Sequence, residues 1–253
     1  MARQDGVLLL KGELGGLSFY KTGLDGHLAR QKGGVDAKRI RTEANFARTR
    51  ENNEEFGRAG QAGRLLRTAF RAFVMNSSDS RVAARLSQKF SEVIHADTTS
   101  VRGKRNVVDG NIDLLRGFEF NKDGTLRHTL LVKYSAVIDR AAGTVAINLP
   151  NLIPARMVKA PEGATNFRLV ASVAAVDFAG DDYDGVTAET EELPIDSTAT
   201  LTPDLSLAIP PGGNNPLIVV LGIEFSQICN GAMYAINAGE FNALAIIAID
   251  PGA

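Results

Sequence analysis

The chain has no tryptophan, a single cysteine, only three histidines, and no lysine or arginine beyond Arg168. Each scarcity excludes something. One cysteine, Cys229, permits neither an internal disulfide nor a cysteine-based zinc site. Its apolar setting, SQICNGAMY, reads as buried and inert. His27, His95 and His128 lie far apart in sequence and suggest no three-histidine metal cluster. His95, near a helix end, reads as a partner of the helix dipole. There is no apolar run of about 18 residues, so no membrane span is predicted. At the N-terminus only Val7–Leu10 are consecutively apolar, too few for a signal-peptide core. This predicts cytoplasmic synthesis without a signal peptide. No GxSxG elbow and no phosphate-binding glycine loop occurs, so the expectation is a protein that is not an enzyme and needs no cofactor.

What remains is 253 residues, 44% hydrophobic, with a formal net charge of −1, the profile of a folded globular chain of one large or two modest domains. The near-neutral total hides a division. Residues 1–110 carry 20 Lys+Arg against 12 Asp+Glu, and residues 111–253 carry 8 against 17. Opposed fields of this kind register protein partners, including copies of the same chain.

Asn52–Val74 predicts a long helix. Asn52 and Glu55 have the spacing of a capping box. Phe56, Ala59, Ala62, Leu66, Phe70, Phe73 and Val74 form a core-facing stripe, with Arg64, Arg67 and Arg71 at its side. Gly57, Gly60 and Gly63 cost about 1 kcal/mol each against alanine in a helix interior. The reading favours close approach of another backbone over a bend. Phosphate binding is rejected, because no strand precedes these glycines and no GKS or GKT follows. A second amphipathic helix is predicted at 80–95, with Val82, Leu86, Phe90, Val93 and Ile94 on one face.

Before these helices, residues 6–32 read as a hairpin arm of short strands, VLLL, LSFYK and HLARQ, with LDG at 24–26 as a turn. Leu8, Leu10, Leu17, Phe19 and Tyr20 would pair with a neighbour's sheet edge or dock on the chain's own body. Thr42 would cap a short helix. Lys38, Arg39, Arg41, Arg48 and Arg50 form a cationic patch. Phe46 is the one aromatic among them, which argues against single-strand nucleic-acid binding.

After a linker at 98–111 the apolar period changes from helical to alternating. Strands are predicted near 114–120, 128–138, 144–149, 166–178, 186–193, 198–209, 217–226, 231–236 and 243–249. Short strands at this spacing suggest an immunoglobulin-like sandwich, without the Cys-Trp-Cys core. The acidic loop at 177–185 offers Asp177, Asp181, Asp182 and Asp184 as oxygen ligands for calcium, although its spacing is not that of an EF-hand. Glu189, Glu191 and Glu192 extend the charge, and a contact for cations of another subunit is the alternative use.

The stretches KGELGGLSFYKTGLDGHLARQKGG, FARTRENNEEFGRAGQAGRLLRTAFR and SRVAARLSQKFSEVIHADTTSVRGKRNV resemble a family of uncharacterised proteins from Bacteroidota, over roughly residues 10–120. The resemblance implies a bacterial or bacteriophage source and carries no activity.

Together these readings predict an α+β protein: a β arm at 1–42, a helical hairpin region at 43–110 and an antiparallel immunoglobulin-like sandwich at 111–253. The expected role is that of a self-assembling structural subunit of a filament, tube or phage-like particle. A glycan- or protein-binding module with calcium, and a nucleic-acid binder acting through the basic half, are the alternatives.

Overall fold

The computed structural model describes residues 2–31, 33–236 and 239–252. The chain divides into two compact units, 1–50 and 51–253. The two units carry opposite net charge. The first unit holds 10 Lys+Arg against 5 Asp+Glu, the second 18 against 24.

In the first unit, strands β1 (Ala2–Arg3), β2 (Gly12–Leu14), β3 (Leu17–Thr22) and β4 (Gly26–Gln31) form an antiparallel sheet in the order β1-β4-β3-β2. Gly15 and Gly16 join β2 to β3, both at positive φ (56° and 78°). A two-residue hairpin turn that matches strand twist requires this, and glycine adopts it without strain. The LDG turn joins β3 to β4 as expected. VLLL is not a strand. It lies in the loop between β1 and β2, whose base is clamped by Gln4. The Gln4 Oε1 accepts the Leu10 N–H at 2.9 Å, and its Nε2 donates to the Leu28 carbonyl at 3.1 Å. Helix α1 (Ala37–Thr42) is capped by Asp36, which accepts the Lys38 N–H at 2.8 Å. Thr42 therefore ends a helix where the sequence reading had it begin one. No described residue of this unit is buried.

Helix α2 (Ala47–Ala69) begins in the last residues of the first unit and runs into the second. It starts five residues before Asn52, fed by a 3₁₀ turn at 44–46. Asn52 thus sits inside the helix and caps nothing. Glu55 does not close a capping box either; it is buried, and its Oε1 accepts the Gly103 N–H at 2.7 Å. The helix breaks at Phe70 (φ −102°, ψ 22°) and resumes as α3 (Arg71–Val74). Helix α4 (Val82–His95) buries Val82, Leu86, Phe90, Val93 and Ile94, the expected face. Phe56, expected in the core, is 65% exposed.

The stretch 98–111 is not a linker. Asp97 accepts the N–H groups of Thr99, Ser100 and Asn106, and Arg58 donates to the carbonyls of Gly103 and Arg105. A Cβ on Gly110 would lie 2.4 Å from the Val93 carbonyl oxygen. Such stitching ties the segment to α2 and α4, and the core these helices share with Val170, Ile218 and Leu244 crosses the boundary that the sequence places at 110.

Beyond a 3₁₀ turn at 112–115 come α5 (Leu126–Thr129), β5 (Ser135–Asp139), β6 (Thr144–Asn148) and α6 (Pro154–Met157). They are followed by β7 (Asn166–Asp177), β8 (Asp182–Glu189), β9 (Leu193–Pro194) and β10 (Asp204–Ala208). Last come β11 (Leu217–Cys229), β12 (Ala232–Ala235) and β13 (Ala243–Asp250). The expected strand at 114–120 is the 3₁₀ turn and one bridge, Glu119 to Ala245. The expected strand at 128 starts only at Ser135, because Glu119 accepts the Leu126 N–H and starts α5 instead.

All strand pairing is antiparallel. One sheet runs β12-β11-β7-β8, with β13 also on β11 and β9 on β7, and a second runs β10-β6-β5. Alternation sends the residues of the larger sheet to two cores. Val170, Ala174, Val176, Ile218, Val220, Leu244 and Ile246 pack with α2–α4. Phe167, Leu169, Ala171, Val173, Val219, Leu221 and Ile223 pack with Val145, Ile147, Leu205 and Leu207 of the smaller sheet. The two sheets are sandwich-like, and helices cover the outer face of the larger one. This double covering is why β7 and β11 read as near-continuous apolar runs.

Candidate assembly surface

The first unit presents most of the residues expected to contact a partner. With its base held by Gln4, the 5–10 loop leaves Val7 fully exposed and Leu8 77% exposed, with Leu9 and Leu10 also exposed. Leu17 of β3 is exposed, while Phe19 and Tyr20 are half-buried. Arg30 lies over the Tyr20 ring at 5.6 Å. β2 pairs only with Leu17–Phe19 of β3, so the outer edge of β3 carries no strand over Tyr20–Thr22.

The cations differ in availability. Lys38, Arg39, Arg41 and Arg48 are exposed. Arg39 pairs with Glu43 at 2.6 Å, which holds its guanidinium above the ordinary arginine range. Arg50 is committed to the carbonyls at the end of α1, donating to Ile40 at 2.7 Å and Glu43 at 2.8 Å. On α2 and α3, Arg64 and Arg71 are exposed and Arg67 is half-buried.

Of the three glycines, only Gly63 meets another element. A Cβ there would lie 3.6 Å from Leu86 Cγ and Ser87 N, an ordinary contact. Gly57 and Gly60 face open space, so no packing among the described residues accounts for them.

The acidic loop is the β7–β8 hairpin. Asp177 and Asp182 are directly paired across it, and Asp181 sits at φ 56°. Asp177 Oδ1 accepts the N–H groups of Ala179 (2.9 Å) and Gly180 (2.8 Å), and so serves its own turn. Asp184 lies on β8, opposite Ala175. No group of three or more His, Cys, Asp or Glu among the described residues is arranged to hold a metal ion.

Glu189 and Glu192 are engaged within the chain. Arg168 pairs with Glu189 at 2.9 Å and with the buried Glu224 at 2.6 Å, and Ser226 Oγ donates to Glu192 at 2.8 Å. Burial works against the Arg168 charge, but the bond to Glu224 and the fields of Glu224, Glu189 and Glu192 outweigh it and raise its pKa. A cavity of about 440 Å³ opens beside this network, lined also by Asn76, Tyr234 and Asn242. Its polar groups largely satisfy one another: Asn76 donates to Glu224, and Asn242 donates to the Asn76 carbonyl. Glu191 is exposed.

Two features were missed from sequence. Cys229 is exposed, not buried, because β11 outruns the core and its last three residues form a hairpin tip with β12. Ile228, Met233 and Tyr234 are exposed on that tip. The signal was present in Asn230-Gly231, both at positive φ (50° and 79°), a strong hairpin dipeptide. The second feature is a cleft around Val108, itself 66% exposed. The lobe on one side, about 370 Å³, reaches Ala62 and Leu65 of α2, and the lobe on the other, about 430 Å³, reaches Ile112 and Pro216.

Among the described residues no helix is long and apolar enough to cross a membrane. No family model and no curated protein matches the chain. A solved structure from work titled "pH-induced modulation of Streptococcus parasanguinis adhesion by Fap1 fimbriae" is similar at a TM-score of 0.23 and 12% identity. That match covers 45% of this chain and 79% of the other, and it is too slight to bear on function.

Proposed function

We propose that this chain is a self-associating structural subunit, of a filament, tube or phage-like particle, that offers its N-terminal unit to a neighbouring copy. The body is read as an immunoglobulin-like sandwich with a helical layer added. One observation carries the proposal: the first unit has a formed four-stranded sheet yet buries no described residue, while Val7–Leu10, Leu14, Leu17 and Leu24 are exposed. A sheet without a core gains its stability elsewhere, and an exposed apolar patch of this kind marks a contact surface. The excess of cations in 1–50 and of anions in 51–253 gives unlike surfaces a reason to meet. Contacts between unlike surfaces build rings or open polymers.

Light scattering across concentration and salt, with negative-stain images of the same samples, tests this. The expected outcome is a mass that grows with concentration and falls between about 0.05 and 0.5 M salt as the fields are screened. A strictly monomeric mass throughout would overturn it.

A further inference from the structure

We propose that the Val7–Leu10 loop of one copy seats in the two-lobed cleft around Val108 of a second copy; this rests on the self-association reading above and names its acceptor. The two lobes share Val107, Val108, Phe178 and Ala179, so they adjoin along an apolar seam at Val108. Phe178 gives the floor rigidity, being packed edge-on against Phe90 of the helical core at 5.5 Å. Each lobe has the size of a small-ligand cleft. The loop supplies four consecutive apolar side chains, all exposed, on a base fixed by Gln4. It is therefore already held in a presenting conformation and loses little freedom on docking.

Charge selects the occupant. The groove is edged by Asp109 and Asp181 on one lobe and by Asp177 and Asp113 on the other, Asp113 being paired with Arg116 at 2.8 Å, with Arg58 as the cation that lines it. Arg58 is already engaged, donating to Gly103 and Arg105 and pairing with Glu54 at 3.6 Å. The loop runs from Asp5, which Arg3 pairs at 3.6 Å, to the exposed Lys11, and it belongs to the unit with twice as many cations as anions. An apolar ridge with a cationic flank matches an apolar groove with an anionic rim.

Two single-cysteine proteins test this in a Cys229→Ser background, one carrying Leu9→Cys and the other Val108→Cys. Mixed and oxidised, they are expected to form a disulfide-linked heterodimer well above the yield of either homodimer. Because each chain carries one cysteine, that bond is necessarily between copies. In parallel, Val108→Asp and Leu8→Asp, both at exposed positions that spare the core, are expected to weaken association by tenfold or more in light scattering. If the native protein associates but the heterodimer is no better formed than the homodimers and both aspartate variants associate normally, this docking is wrong while self-association stands. A native protein that stays monomeric overturns both. A chain carrying both cysteines that closes on itself, without higher species, overturns the second-copy assignment.

Discussion

The two units make their β-structure by different means. The sheet of β7, β11 and β13 is covered on both faces and contributes to both buried cores, whereas the β1–β4 sheet has no buried residue at all. Backbone pairing and turn chemistry suffice to draw the β1–β4 sheet: Gly15-Gly16 and the three-residue turn before Gly26 set its register. They do not supply the apolar burial that makes a sheet persist in isolation. The contrast separates what specifies a fold from what stabilises it.

The sharpest way to break the comparison is to remove an aromatic ring from each unit. Phe90 is fully buried and packs edge-on to Phe178, so Phe90→Ala is expected to cost about 3–5 kcal/mol in the main unfolding transition. Phe19, half-buried on β3, is expected to change that transition by less than about 0.5 kcal/mol, its effect falling on assembly. Denaturant melts by circular dichroism, at a concentration where the protein is dissociated, measure both. Equal losses would mean that the first unit shares the core of the second.

Glycines give a smaller and more pointed contrast inside the second unit. Gly222 lies on β11 where a Cβ would meet the Ala243 carbonyl oxygen at 2.7 Å and Val170 Cγ2 at 2.9 Å. Gly222→Ala should overpack the sheet and destabilise by about 1–3 kcal/mol. Gly57 and Gly60 face open space in the middle of α2, and alanine at each should stabilise the isolated chain by up to about 1 kcal/mol. Should the same two substitutions weaken association, the glycines serve a neighbour's close approach. Should association be unchanged, they have no part in the contact.

Where the sequence could be read, local physics and burial agreed. The α4 face was legible from its helical periodicity, and β6, β7, β11 and β13 from their apolar runs, whereas the strand expected at 186–193 begins at Asp182 and ends at Glu189 and that expected at 198–209 begins only at Asp204. The failures have particular causes. Asn52 looked like a cap, but the chain before it, Ala44–Arg50, is helical enough to start the helix earlier. Stretch 98–111 looked like a linker because it is polar, yet its polar groups are those that tie it to Asp97, Glu55 and Arg58. VLLL looked like a strand, and no local rule could reveal that the side chain of Gln4 bridges the loop's two ends. The Val108 cleft is assembled from α2, the 107–113 segment, the β7 end and the 214–216 loop, which no linear pattern connects.

Acid provides the finest test, because the carboxylates with depressed pKa all belong to the second unit. Burial opposes the charge on Asp97, but the Ser100 and Thr99 donors outweigh it and hold the carboxyl well below the usual carboxylate range. Burial likewise opposes Asp79, overcome by the Arg81 N–H, Arg85 and the Lys122 N–H, while Asp250 is lowered chiefly by its bond to Arg140. A folded-state pKa below the unfolded value near 4 contributes stability that is full above that value and lost as pH falls through the folded pKa. Glu119 has the opposite sign, its pKa raised mainly by burial, so its contribution declines as pH rises from the ordinary glutamate value. Thermal midpoints of the second unit should therefore fall steeply below about pH 4. Asp97→Asn keeps an acceptor for Thr99 and Ser100 but removes the titration, so its midpoint should lie below the native one at pH 6 and converge on it toward pH 2.5. Parallel curves over that range would mean that the Asp97 turn is held by geometry alone, and that acid acts through Asp79 and Asp250.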